Sequence, residues 1–164
     1  MTAFMRLCLA LLPLTVLSTQ ARAACAISTG TAGLGFGSYS PLTFPGKLTS
    51  MDADSTGTVT VTCTGLTQAA AYSLKLSGGG SNDAFARSMA GTGGGARMNY
   101  NLFVDSNRSN PWGDGVAGGY FQGSIAAPGG TASHTYYGRV PAGQKTLRAD
   151  SYSDQLLITL EVSP

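Results

Sequence analysis

The stretch Gly57-Thr58-Val59-Thr60-Val61-Thr62-Cys63 constrains the fold more than any other part of this chain. Apolar and hydroxyl side chains alternate along it without a break, so Val59, Val61 and Cys63 face one way and the threonines the other. A period of two is the pattern of a half-buried β-strand. The strand ends on Cys63, and a second cysteine, Cys25, stands far upstream near the start of the expected mature chain. A disulfide between them would pin the first strand to this one; two separate buried thiols are the alternative.

The N-terminal residues bear on that choice. Met1 to Ala23 carries Arg6, an apolar run from Leu7 to Leu17, a polar patch Ser18-Thr19-Gln20, and the small-x-small triplet Ala21-Arg22-Ala23. This is the layout of a secretory signal peptide over residues 1–23. The apolar run is too short for the ~30 Å of a bilayer core and is interrupted by Pro13. Cys8 leaves with such a leader, so Cys25 and Cys63 are the pair that reaches an oxidising compartment, where disulfides persist. Loss of Arg6 and Arg22 reduces the ten basic residues to eight, equal to the eight acidic ones. A near-neutral domain has no electrostatic footprint for nucleic acid or an anionic membrane. The expected mature chain, 24–164, is long enough for one domain with a substantial core.

Further strands follow the same logic. Gly33 to Tyr39 places Leu34 and Phe36 on one face between small residues and is read as part of the first strand. In Ala71 to Ser77 the inward residues are Tyr72, Leu74 and Leu76, and Gly78-Gly79-Gly80 ends the run. Phe85 to Met89 reads as a short strand or a turn. Met98 to Asp105 reads as one strand with Met98, Tyr100 and Leu102 inward. Gly119 to Ile125 and Ser133 to Val140 flank the Pro128-Gly129-Gly130 turn. The last strand, Gln155 to Val162, puts Leu156, Ile158, Leu160 and Val162 on one face. No stretch has an apolar 3.6-residue period with caps, so the expected fold is an all-β sandwich.

Motifs for catalysis or metal binding are weak. His134 is the sole histidine and has no Gly-x-Ser-x-Gly elbow to serve. One histidine and two oxidised cysteines do not make a zinc site. Gly91 to Ala96 matches a relaxed dinucleotide pattern by letter, without the strand and helix that the pattern needs. Asp105 to Asn110 is similar to the start of a calcium loop, but its sixth position is Asn110 and its twelfth is Val116 rather than a glutamate. No paired carboxylates suggest glycosidase chemistry. No catalytic residue, cofactor or metal is expected. Trp112 reads as a turn residue folded over the end of the sandwich, with an exposed ligand contact as the alternative.

In order, the chain carries a leader, an early cysteine, Leu34-Gly35-Phe36-Gly37-Ser38-Tyr39, Gly57 to Cys63, Met98 to Asp105, Trp112-Gly113-Asp114-Gly115, Tyr137-Gly138-Arg139-Val140-Pro141-Ala142-Gly143-Gln144 and Tyr152 to Leu160. This order and spacing resemble the spore coat protein U domain shared with subunits of archaic chaperone-usher pili. The resemblance implies an immunoglobulin-like sandwich lacking its final strand, with a groove between the first and last strands. It implies a periplasmic chaperone, an outer-membrane usher and neighbouring pilin-like subunits as partners, and passage through the periplasm to the cell surface. The groove residues it implies are Leu34 and Phe36 on one side and Leu156, Ile158, Leu160 and Val162 on the other.

Shaft subunits of the family carry a donor segment ahead of the first cysteine, whereas cleavage after Ala23 would leave only Ala24 there. The expectation is therefore a structural or adhesive subunit that accepts a strand but does not give one, as at the tip or end of a fibre. The alternative is a secreted carbohydrate-binding sandwich, complete in itself, with Trp112 and the tyrosines as platforms.

Overall fold

A computed structural model of the chain describes residues 23–30, 33–44 and 49–163. All but the last residue of the expected leader lie outside these. Among the described residues ten strands follow in order: β1 (Ala24–Thr29), β2 (Ala53–Thr64), β3 (Ala70–Leu76), β4 (Ser88–Gly91), β5 (Arg97–Asn99), β6 (Asn101–Phe103), β7 (Phe121–Ile125), β8 (Gly129–Val140), β9 (Tyr152–Ser153) and β10 (Ile158–Ser163). They form a four-stranded sheet in the order β1-β2-β8-β6, a three-stranded sheet β10-β3-β7, and a small sheet β5-β4-β9. Every pairing within the sheets is antiparallel. The fold is the all-β sandwich expected from the period-two pattern.

The two larger sheets bury their inward residues against each other. Val59 and Val61 of β2 and Leu74 of β3 are fully buried, and Cys63, Tyr72 and Leu76 nearly so. Met98, Tyr100 and Leu102 also face the core. Cys25 stands directly opposite Cys63 in the β1–β2 register, with Cα atoms 4.1 Å apart, and the two are disulfide-bonded. Trp112 does not fold over the end of the sandwich. It is wholly buried in the core, packs its ring against Phe121 and Tyr136, and donates its indole N–H to the Leu74 carbonyl at 3.0 Å. A buried indole with its donor satisfied is what so large an apolar group needs at the centre of a core.

β2 and β8 start earlier than expected, at Ala53 and Gly129, so Gly129 and Gly130 are strand rather than turn residues; three further boundaries differ from the sequence expectation. Gly33 to Tyr39 is extended but is not a strand, because Gly33 and Gly37 take positive φ of 75° and 68° and break the ladder. Met98 to Asp105 is two strands in different sheets. The chain crosses between them at Tyr100, whose N–H donates to the Arg87 carbonyl and whose hydroxyl donates to Asp154 at 2.7 Å. The last strand starts at Ile158 rather than Gln155. Asp154 accepts from the N–H groups of Gln155 and Gly80, and Leu157 N–H donates to the Ser77 hydroxyl, so side chains have replaced ladder partners there.

Arg87 is a core residue that periodicity does not reveal. Its side chain is fully buried. Nη2 donates to the Ser77 and Trp112 carbonyls at 2.6 Å each, Nε donates to Ser77 at 3.1 Å, and Nη1 donates to the Ala84 carbonyl and Asn101 Oδ1. The guanidinium fork thus joins the end of β3, the 79–87 segment, β6 and the strand-like backbone at Trp112.

His134 of β8 crosses to the opposite sheet. Its Nε2 lies 2.8 Å from the Tyr72 hydroxyl, and its ring stacks on Phe121 at 4.8 Å. Burial holds its pKa below the ordinary 6.5, so the fold favours the neutral ring. The unfolded chain then binds more protons below pH 6.5, and stability present above that value falls as the pH drops. Carboxylates whose pKa values are lowered, such as Asp54 and Asp105, lose their contribution only below 3.8. Urea midpoints are therefore expected to fall between pH 7 and pH 5, and His134→Phe is expected to flatten that slope. An unchanged slope in the variant would exclude His134 as its source.

Candidate functional site: an open seam between two strand edges

β1 and β10 are the edge strands of the two larger sheets. They lie on the same side of the sandwich, and β1 runs alongside β10 in the opposite direction. Ala23 to Cys25 face Leu160 and Val162 across one depression, while Leu34 and Phe36 face Leu156 and Ile158 across another.

The hydrogen-bond phase shows which backbone groups the seam exposes. Ser77 N–H donates to the Leu157 carbonyl at 3.0 Å, which makes this a hydrogen-bonded pair. In an antiparallel ladder such pairs alternate, so the backbones of Leu157, Thr159 and Glu161 turn toward β3. Those of Ile158, Leu160 and Val162 turn outward, where β10 has no neighbour in its sheet. On the other wall, Gly30 N–H donates to the Thr58 carbonyl, which leaves the backbones of Cys25, Ile27 and Thr29 facing the seam. Two ladders of N–H and C=O groups therefore face the same gap.

The side chains tell the same story. Along central strand β3, Tyr72, Leu74 and Leu76 are 5%, 0% and 3% exposed. Along β10 and the segment leading into it, Leu156, Ile158 and Leu160 face the same interior but remain half-exposed, and Val162 is 44% exposed. The inward face of β10 thus lacks part of its cover. A lined cavity of about 400 Å³ opens there, with Leu76, Met89, Leu102, Trp112 and Tyr136 in its floor and walls. A second cleft of about 740 Å³ continues it between residues 34–42 and 147–152. Gly138 makes the first wall possible, because a Cβ there would collide with Leu34 and come within 2.8 Å of the Phe36 ring.

Four of the six groove residues expected from the resemblance, Leu34, Phe36, Leu156 and Ile158, line one cavity. Leu160 and Val162 line the other depression, of about 420 Å³, beside Cys25 and the Leu66–Ala70 turn. Sequence reasoning missed Met89 and Tyr152 as lining residues. Met89 sits in a segment whose pattern was too short to assign, and Tyr152 in a two-residue strand. Two polar groups of the cavity are tied to each other: Asp154 is held by Tyr100 and two backbone N–H groups, and burial together with that hydrogen bond pushes the Tyr100 phenol far above its ordinary pKa. A strand laid in the seam would meet backbone donors and acceptors at its edges and apolar pockets beneath alternate side chains.

The other candidates resolve simply. Asp105 uses its carboxylate to accept from the N–H groups of Ser109 and Asn110 and from the Ser109 hydroxyl. Among the described residues no group of three or more His, Cys, Asp or Glu side chains is placed to hold a metal. Gly91 ends β4, and Thr92 to Ala96 make the turn into β5. Trp112 offers no surface platform, being fully buried.

No curated protein matches the chain. Among solved structures, it is similar to a chain of the CsuC-CsuE chaperone–tip adhesion subunit pre-assembly complex from the archaic chaperone-usher Csu pili of Acinetobacter baumannii. The TM-score is 0.54 and the identity 17%, over 85% of this chain and 40% of that one. The likeness therefore supports the fold, and this chain spans less than half the length of its structural neighbour. The family model for the Spore Coat Protein U domain matches residues 11–159, nearly the whole sequence, and the chain belongs to that family.

Proposed function

We propose that this protein is a structural or adhesive subunit of a surface fibre built by the chaperone-usher route, exported through the periplasm and completed by a strand from another protein. The observation that carries this reading is the seam between β1 and β10, where two backbone ladders and a row of half-exposed apolar side chains face one gap. An open apolar edge is a hazard for aggregation unless another strand covers it. A periplasmic chaperone would cover it first and a neighbouring subunit later; an outer-membrane usher would be the site of exchange. No catalytic group is assigned in this reading.

The test is to express the domain alone and with an apolar, alternating donor peptide fused after Pro164 through a flexible linker. The fused form is expected to be a monodisperse, cooperatively unfolding monomer, and the unfused form to aggregate or be degraded. Equal stability and solubility of the two forms would mean that the seam needs no strand.

We propose further that the subunit accepts a strand without giving one. Cleavage after Ala23 leaves a single residue ahead of Cys25, which is anchored by its disulfide, and a donor needs several alternating residues at about 3.3 Å each to cross a groove. Mass spectrometry of the exported N-terminus tests this part separately. A mature N-terminus well upstream of Ala24 would restore a donor segment and remove the acceptor-only reading, leaving the seam unaffected.

A further inference from the structure

The Asp105–Asn110 segment, which fails as a calcium loop, has a different chemical signature. The chain has five asparagines, and Asn107 is the only one followed by any residue but proline and then Ser or Thr. Asn-x-Ser is the acceptor sequence for N-linked glycans on exported proteins.

The fold presents this sequence at the tip of a hairpin. Phe103 bridges to Pro111, and Val104 N–H donates to the Asn110 carbonyl at 3.1 Å, which closes the base. Arg108 N–H donates to the Asp105 carbonyl, making a turn with Ser106 and Asn107 as its central residues, and Arg108 takes a positive φ of 57°. Asp105 locks the turn by accepting from Ser109 and Asn110. Arg108 anchors it to the sheet through the Gly138 carbonyl and Asp54. Asn107 is left exposed at the apex, and among the described residues nothing hydrogen-bonds its carboxamide. Asn101 is the contrast, since its carboxamide is used by Arg87, Leu102 and the Ala84 and Phe85 carbonyls.

The position also suits a bulky modification. The hairpin follows β6, the edge strand opposite β1 in the order β1-β2-β8-β6. None of residues 105–110 lines the two seam depressions or the cleft that continues them, so a glycan on Asn107 would sit outside the seam.

We propose that Asn107 is the acceptor of an N-linked oligosaccharide, delivered after export from a lipid-diphosphate-linked donor. Asn107 Nδ2 forms a bond to the anomeric carbon of the first sugar as that carbon's bond to the diphosphate oxygen breaks. The lipid diphosphate leaves with the bonding electron pair, and the proton lost from Nδ2 passes to a base on the transferase. No oxidant or reductant is needed. The site does not depend on the seam accepting a strand.

The test is to export the full chain in a bacterium that carries an oligosaccharide transferase and its lipid-linked glycan, and to read intact mass and glycopeptides. One glycan mass on the peptide containing Asn107 is expected, absent in Asn107→Gln and in Ser109→Ala and retained in Asn99→Gln. Asn107 contributes no packing, so Asn107→Gln is expected to match the parent in circular dichroism and yield. An unmodified chain from cells in which a reporter sequence is glycosylated would overturn the proposal. So would a glycan that persists in Asn107→Gln.

Discussion

Arg87→Met is expected to destabilise the domain by on the order of 4 kcal/mol, a large share of the roughly 5–15 kcal/mol that holds a domain of this size folded. The side chain is fully buried and its fork serves four acceptors. Two of these keep another donor when the fork is removed: the Ala84 carbonyl retains Asn101 Nδ2, and Asn101 Oδ1 retains Leu102 N–H. Among the described residues no other donor reaches the Ser77 or Trp112 carbonyl, and a buried acceptor left unsatisfied costs about 1–3 kcal/mol. The opposing effect is relief from dehydrating the guanidinium, the burial that also lowers its pKa. Relief of that kind wins where an apolar replacement removes both partners. Here the partners are main-chain carbonyls that no substitution deletes, so the loss dominates.

Ser77 adjoins Leu76, and Leu76 and Trp112 both lie in the cavity floor. Arg87→Met is therefore expected to reduce recovery of strand-bound protein as well as the urea midpoint. Arg87→Lys keeps the charge but presents it as a point rather than a planar fork, so it is expected to restore only part of the loss. A midpoint shift equivalent to less than about 1 kcal/mol in Arg87→Met would show that the buried fork is not a major source of stability.

Cys25→Ser with Cys63→Ser is expected to cost about 2–5 kcal/mol. The bond closes a loop with a sequence separation of 38, for which chain entropy alone predicts roughly 4 kcal/mol. Its position adds a second effect. β1 is an edge strand held in the sheet by β2 alone, and its outward backbone forms one wall of the seam. Without the covalent tie, the six residues of β1 depend on one ladder and on the partial burial of Cys25 and Ile27. Fraying of that wall is expected before global unfolding, seen as faster amide exchange at Ile27 and Thr29 than at Val59 and Val61 of β2. Alkylation of both thiols in the exported native protein would contradict the bond itself. Uniform exchange across β1 and β2 in the double-serine protein would contradict the fraying.

Local alternation was enough to read the sandwich from the sequence, because side chains on a strand change face every residue whatever the rest of the chain does. That is why Val59, Val61 and Cys63, Tyr72, Leu74 and Leu76, and Met98, Tyr100 and Leu102 can be placed inward from the sequence alone, and why Leu156, Ile158, Leu160 and Val162 can be assigned to one face. Their burial is another matter. Leu74 and Leu160 carry the same side chain and the same alternation, yet one is sealed and the other half-exposed, because β3 has a neighbour on each side and β10 has only one. Strand order is a long-range property that no period encodes. The same holds for Arg87, whose acceptors lie 3 to 25 residues away and converge only after folding, and for Trp112, whose glycine-flanked turn sequence reads as surface until Leu74, Phe121 and Tyr136 close around it. Alternation decided which way each side chain points; tertiary pairing decided which edges stay open, and the seam exists only at that second level.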